Sequence, residues 1–176
     1  RIRGTILMAL ANQKNHLLLS IGNKSELAVG YCTLYGDMNG GLSVIGDLYK
    51  TSVFELCHWL DSESSISCRH DLFLPEKGEI IGSDIRNKPP SAELRPEQLD
   101  IDSLPDYFIL DPILKGLIEH HLPTEDLIAK GFDEKIVNQI ANLLKNAEFK
   151  RYQAPPLLKI SNQAFGSGWK KPIASR

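Results

Sequence analysis

The chain has 176 residues, 42% hydrophobic and 24% charged, with a formal net charge of −2. That balance fits one ordinary globular domain or a large piece of one. The small net charge removes any bulk electrostatic case for nucleic acid or an anionic membrane, and no apolar run approaches the roughly 20 residues of a membrane span.

The N-terminus, Arg1-Ile2-Arg3-Gly4-Thr5, has no Met and no signal-peptide pattern. Ile2, Ile6, Leu7 and Leu10 recur at helical spacing, which predicts a helix over residues 1 to 12. A chain that opens inside such a helix reads as a fragment. Asn15-His16 marks a turn, and Leu17 to Ile21 is a continuous apolar run of the kind found in buried parallel strands. Gly22-Asn23 ends it, and a helical pattern resumes from Lys24 to about Thr33. Strand, tight turn and helix in that order put a ligand at the strand's C-terminal end.

Gly36 to Gly41 reads as a loop, Leu42 to Ile45 as a short extended segment, and Lys50 to Leu60 as a helix. Residues 61 to 85 lack periodicity and read as irregular, and prolines forbid a long helix from Lys88 to Pro105. Three helices follow, over 107–121, 124–130 and 133–147. The last carries one apolar stripe of Ile136, Val137, Ile140, Leu143, Leu144 and Ala147, with Asp133 as N-cap and Gly131 as the preceding C-cap. Residues 151–176 form a basic tail. The chain thus divides into an α/β portion (1–60), irregular loops (61–106), helices (107–150) and the tail. Cys32, Cys57 and Cys68 are odd in number and lack C-x-x-C spacing, which predicts reduced, mostly buried thiols in a cytoplasmic protein.

Four short motifs carry possible chemistry. Ser20-Ile21-Gly22-Asn23-Lys24-Ser25-Glu26 puts a helix N-terminus, a lysine and a carboxylate within one turn, a combination that suits phosphate plus Mg2+. The same residues also spell a capping box, Asn23 with Glu26, which needs no ligand. Tyr35-Gly36-Asp37 with Asn39-Gly40-Gly41 offers a glycine-bearing loop beside an aromatic ring and an acid, and Lys50 at a helix start can meet a phosphate. A polar loop and a solvated lysine are the plainer alternative. In Lys88-Pro89-Pro90-Ser91-Ala92-Glu93-Leu94-Arg95-Pro96 the prolines stiffen the approach to the Ser91 hydroxyl, or simply make a rigid connector. Glu148-Phe149-Lys150-Arg151-Tyr152-Gln153-Ala154-Pro155 ends a helix in two cations, which serve the helix dipole or a diphosphate.

Taken together and in order, these stretches resemble the glutamine-dependent NAD+ synthetases. The match includes Gly30-Tyr31-Cys32-Thr33-Leu34-Tyr35-Gly36-Asp37 and Asp102-Ser103-Leu104-Pro105 and spans nearly the whole chain. The resemblance implies an α/β fold, the C-terminal portion of a pyrophosphate-loop ATPase (adenine nucleotide alpha hydrolase-like) parallel sheet followed by a helical C-terminal region. It implies ATP-dependent amidation of deamido-NAD+ through an acyl-adenylate, with Mg2+, and with ammonia from glutamine supplied by a glutaminase domain of the same parent chain. Homo-oligomers are expected. Position by position, it implies Ile21, Lys50 and Ser91 at ATP. Arg1, Glu26, Tyr35, Asp37 and Lys150 fall at deamido-NAD+, and Glu26 also at the metal.

Two departures stand out. Ile21 occupies a position where the family usually has Thr, so one hydroxyl to ATP is lost. The family's Ser-Gly-Gly-x-Asp-Ser pyrophosphate loop and its glutaminase domain are absent from these 176 residues. The chain alone is therefore expected to be inactive. Two alternatives come from other classes: a non-catalytic assembly surface, and a helix-turn-helix over 124–147. Asp133-Glu134 would present the wrong sign to DNA phosphates in the latter.

Overall fold

The computed structural model describes residues 1–92 and 95–173. Glu93 and Leu94 of the proline motif and 174–176 of the tail lie outside the described residues. Two compact units are present, one of residues 1–50 with 107–176 and one of residues 51–106.

In the first unit, α1 (Ile2–Lys14) leads to β1 (Leu19–Ser20), α2 (Lys24–Val29), β2 (Leu42–Ser43) and the start of α3 (Lys50–Leu60). β1 and β2 pair in parallel, Leu19 with Leu42 and Ser20 with Ser43, and Ser43 bridges onward to Leu157. The unit is thus α/β with a parallel sheet, as the resemblance implies. Of the apolar run 17–21, only two residues join this sheet.

The helix expected over 1–12 forms, and Asn15 closes it at φ 53°. Its apolar residues, however, do not face the core: Ile2, Ile6, Leu7 and Leu10 are exposed. The helix packs through its small residues instead. Gly4 is buried so tightly that a Cβ there would lie 2.6 Å from the Asn39 amide nitrogen, and Ala11 is buried too.

α2 stops at Val29, short of the expected Thr33, because Gly30 turns the chain left-handed at φ 72°. A side chain is also excluded there, since a Cβ would sit 2.9 Å from that of Ala147. Within the first unit the C-terminal helices are α6 (Tyr107–Ile118), α7 (Thr124–Ala129), α8 (Glu134–Asn146) and α9 (Glu148–Arg151). Val137, Ile140 and Leu144 of α8 are buried with Leu110, Ile113 and Leu114 of α6 and Leu27 of α2. Asp133 caps α8, its Oδ1 accepting from the Ile136 N–H at 3.1 Å. Lys130, not Gly131, is the C-cap of α7, and Gly131 follows at φ 98°. Beyond α9 the chain packs back: Ala164 and Phe165 are buried, and the Ser43 N–H donates to the Pro156 carbonyl.

The second unit holds the rest of α3, then α4 (Ile66–Asp71), α5 (Ser83–Arg86) and short 3-10 turns at Glu63–Ser65 and Asp100–Asp102. Among its described residues the buried hydrophobic side chain is Leu104, whereas Ser65, Arg69 and Asp100 are buried polar groups. Polar hubs organise this unit after α3, which is why the helical turns there leave no hydrophobic period in the sequence. Arg69 donates to the Ser65 hydroxyl and to the carbonyls of Ser62, Pro75 and Gly78. Asp61 accepts from the N–H groups of Ile80, Ile81 and Gly82 and from Arg86.

Burial pushes the Asp61 carboxyl up, but the Ile81, Gly82 and Ile80 N–H groups and Arg86 outweigh it and hold the pKa at about 2. A depressed carboxylate stabilises the folded state above its ordinary value of 3.8, and that contribution is lost as pH falls through about 2. Protection of the Ile80, Ile81 and Gly82 amides from hydrogen exchange should therefore persist at pH 3.8 and fade towards pH 2. Asp61→Asn should abolish that dependence.

None of the helices among the described residues is long and apolar enough to cross a membrane. Cys32, Cys57 and Cys68 are free thiols, half-buried where the sequence predicts mostly buried ones.

Candidate functional site

The first motif folds as the helix start that its residues predict. Asn23 caps α2, its side chain accepting from the Glu26 N–H at 2.9 Å, and the Glu26 Oε2 accepts from the Asn23 N–H at 3.1 Å. This capping box fixes the carboxylate at the mouth of the turn after β1. Lys24, Ser25 and Glu26 then diverge around the helix. Lys24 and Ser25 are fully buried, while the Glu26 side chain retains 20% exposure.

The lysine within this motif is therefore not a phosphate cation. Its Nζ lies 3.0 Å from Asp47 Oδ1 and 3.2 Å from Glu119 Oε1, and donates to the Ser161 hydroxyl at 2.8 Å. It also sits 4.8 Å above the Tyr49 ring. The cation beside Glu26 comes from α3: Lys50 Nζ is 3.2 Å from Glu26 Oε1 and 5.5 Å from the Tyr107 ring centroid. Both partners of this pair are about one-fifth exposed. A pair so placed can open to an incoming phosphate, since a partly solvated ion pair contributes little by itself.

The donor set bears on the metal. Among the described residues no group of three or more His, Cys, Asp or Glu side chains could hold one. Mg2+ does not need such a cage; it commonly takes one or two carboxylates and completes its shell with substrate phosphates and water. Glu26, a partly exposed hard-oxygen ligand beside a cation, fits that role.

The far end of α2 carries the second group of cations. Lys150 Nζ donates to the carbonyls of Gly30 at 2.7 Å and Cys32 at 2.8 Å. Arg151 is buried and donates to the carbonyls of Leu27, Ala28 and Leu144 and to the Glu148 carboxylate. Both side chains thus satisfy carbonyls left over at helix C-termini. Arg151 is fully used in this way, while the half-buried Lys150 keeps a third donor. Burial pushes the neighbouring Cys32 thiol up to about 11 despite the nearby Lys150 charge, so it is an inert thiol at neutral pH.

The loop between α2 and β2 brings three more of the expected residues together. Tyr35 adopts φ 61°, a conformation uncommon for a non-glycine residue, and its hydroxyl donates to Gln153 Oε1 at 2.7 Å. The Asp37 Oδ1 accepts from the Thr33 N–H at 2.8 Å, and the Asp37 carbonyl accepts from the Ser20 hydroxyl at 3.2 Å. Arg1 Nε donates to the Leu34 carbonyl at 3.2 Å. The Ser20 side chain is buried and the Ile21 side chain 76% exposed, so the two face opposite ways. Ser91 belongs to the second unit, where its hydroxyl donates to the Gln98 carbonyl.

The model of a family described as NAD synthase matches residues 1–154, most of this chain and every one of the expected site residues. The chain belongs to the NAD synthase family. A glutamine-dependent NAD(+) synthetase from Synechocystis sp. is 55% identical over 174 residues, covering 99% of this chain and 29% of that protein. Another from Thermotoga maritima is 47% identical over 176 residues, covering 100% of this chain and 28% of that protein. The chain therefore spans less than a third of the length of these curated relatives. A crystal structure of a glutamine-dependent NAD(+) synthetase from Cytophaga hutchinsonii superposes with a TM-score of 0.69 at 22% identity, over 98% of this chain and 27% of that one, a likeness of fold.

Two groups beside the Glu26–Lys50 pair are not legible as a contact in the motifs of this NAD synthase segment. Ser25 lies inside the first motif but reads there only as helix. Asp111 lies 86 residues away and gives no local sign, yet its Oδ1 accepts from the Ser25 hydroxyl at 2.5 Å.

Proposed function

We propose that the protein to which this segment belongs amidates deamido-NAD+ to NAD+, using ATP and ammonia drawn from glutamine. The observation that carries the reading is the Glu26–Lys50 pair, a carboxylate and a cation side by side at the turn that follows a parallel strand. The names of the relatives support the same reaction.

In the proposed chemistry an oxygen of the nicotinate carboxylate attacks the α-phosphorus of ATP, and pyrophosphate leaves. Ammonia then attacks the acyl carbon and AMP departs with that oxygen. Lys50 meets the ATP phosphates, and Glu26 orients the dinucleotide and provides the protein ligand for Mg2+. When bound, Mg2+ offsets the phosphate charge. Arg1, Tyr35, Asp37 and Lys150 hold deamido-NAD+, Lys150 through the donor not used by the Gly30 and Cys32 carbonyls. A glutaminase domain of the same parent chain supplies ammonia. We place the protein in the cytoplasm as a homo-oligomer.

The test uses the full-length polypeptide encoded by the reading frame. With a heavy-oxygen label in the nicotinate carboxylate, one labelled oxygen should appear in AMP and NAD+ should form in equal amount. Release of ADP and phosphate instead would overturn the reading. The 176-residue chain alone, lacking the Ser-Gly-Gly-x-Asp-Ser loop, should give no NAD+ from ATP, Mg2+, deamido-NAD+ and ammonia.

Ile21 gives a gain-of-function prediction. Threonine there restores one hydrogen bond to ATP, worth about 0.5–1.5 kcal/mol. In the full-length protein Ile21→Thr should lower the KM for ATP by about 2- to 10-fold. Steady-state kinetics at saturating deamido-NAD+ check it.

A further inference from the structure

We propose that Ser25 and Asp111 are positioning residues for Lys50. The inference rests on the assignment of Lys50 to the phosphates of ATP.

Three elements meet at one buried hydroxyl. Ser25 and Asp111 are both completely buried. The Ser25 hydroxyl donates to Asp111 Oδ1 at 2.5 Å and accepts from the backbone N–H of Lys50 at 2.9 Å. That N–H is the first of α3, one of the four that a helix cannot satisfy internally. Here its partner comes from α2, one residue before Glu26. The backbone of Lys50 is thereby tied directly beside the carboxylate that its ammonium meets at 3.2 Å.

Asp111 supplies the direction. A serine hydroxyl rotates freely and can either donate or accept towards any neighbour. By accepting the hydroxyl's hydrogen bond, Asp111 leaves the serine's lone pairs facing the Lys50 N–H. The pair therefore sets the position of the Lys50 backbone. Lysine has a long flexible side chain, so its backbone is the part a fold can hold fixed. A displacement of about 1 Å in a reacting group can cost on the order of 100-fold in rate.

The prediction is a coupling. In the full-length protein, Ser25→Ala should lower kcat/KM for ATP by about 10-fold or more, with KM for deamido-NAD+ changed by less than about twofold. Asp111→Ala should match it. Asp111→Asn, which keeps an acceptor oxygen for the serine, should stay near the unsubstituted protein. In a Lys50→Met background, Ser25→Ala should cause almost no further loss, because its effect runs through the lysine. If Ser25→Ala is not recovered folded, Ser25→Cys, similar in volume and a weaker acceptor, is measured in the same cycle. Multiplying losses in the double variant would overturn this inference and leave the role of Lys50 standing. A Lys50→Met variant with unchanged ATP kinetics would overturn both.

Discussion

Replacing Lys24 with methionine is expected to destabilise the fold by about 3–5 kcal/mol, the cost of removing one partner from a buried charge cluster. Methionine fills much of the volume of the lysine stem, so packing is not the main loss. What remains is the fully buried Asp47 carboxylate, whose Oδ1 faced the ammonium at 3.0 Å. Asp47 still accepts from the Ile160 and Ser161 N–H groups at 2.8 and 2.7 Å, and those bonds tie the C-terminal segment to the loop before α3. Urea unfolding of the full-length protein and its variant measures the change, and a loss below about 1 kcal/mol would show that the cluster contributes no more than a surface pair. Adding Asp47→Asn should recover part of the loss, because the uncompensated charge is gone.

The pH dependence follows from the same cluster. Burial pushes the Asp47 carboxyl up, but the Ser161 N–H, Lys24, the Ile160 N–H and the Ser161 hydroxyl together hold it below its ordinary 3.8. Its contribution to stability is present above 3.8 and lost as pH falls below that value. Without Lys24 the depression shrinks, so acid unfolding of the variant should begin at higher pH.

The second large effect is on chemistry. Lys50→Met in the full-length protein should reduce ATP-dependent AMP formation by about 100- to 1,000-fold, the usual cost of removing a preorganised group that meets developing charge. Stability should change little, because the Lys50–Glu26 pair is partly exposed at both ends. Glu26→Gln separates the proposed roles. It keeps an acceptor for the Asn23 N–H but removes the charge, so the dependence on Mg2+ concentration should shift upward while the helix start survives. A Lys50→Met variant with nearly unchanged AMP release would remove the central cation from the reading.

Much of the local structure was legible because it depends on neighbours in sequence. The α8 stripe repeats every three to four residues, and Val137, Ile140 and Leu144 are buried as that period requires. The Asn23–Glu26 capping box spans three residues and needs nothing else. The ordered motifs carried the family identity, and residues 1–154 match it. Where the pattern misled, the reason is tertiary. The apolar face of α1 is exposed because Gly4 and Ala11 permit a closer approach on the opposite side. The turns of the second unit escaped notice because Arg69 and Asp61, rather than an apolar stripe, hold them.

The site divides along the same line. By itself the sequence determined that a carboxylate, a helix start and several cations occur in the order of one family, and that the pyrophosphate loop is not among these residues. It did not determine which cation serves Glu26. Lys24 is two residues away and Lys50 is 24 away, and proximity in sequence favours the wrong one. Only the tertiary structure decided that Lys24 turns inward to Asp47 and Glu119 while Lys50 meets the carboxylate. The reason is helical geometry combined with burial. Successive residues of α2 point in different directions, and the inward ones are compelled to find partners among groups 23 to 137 positions along the chain, contacts that no local pattern records.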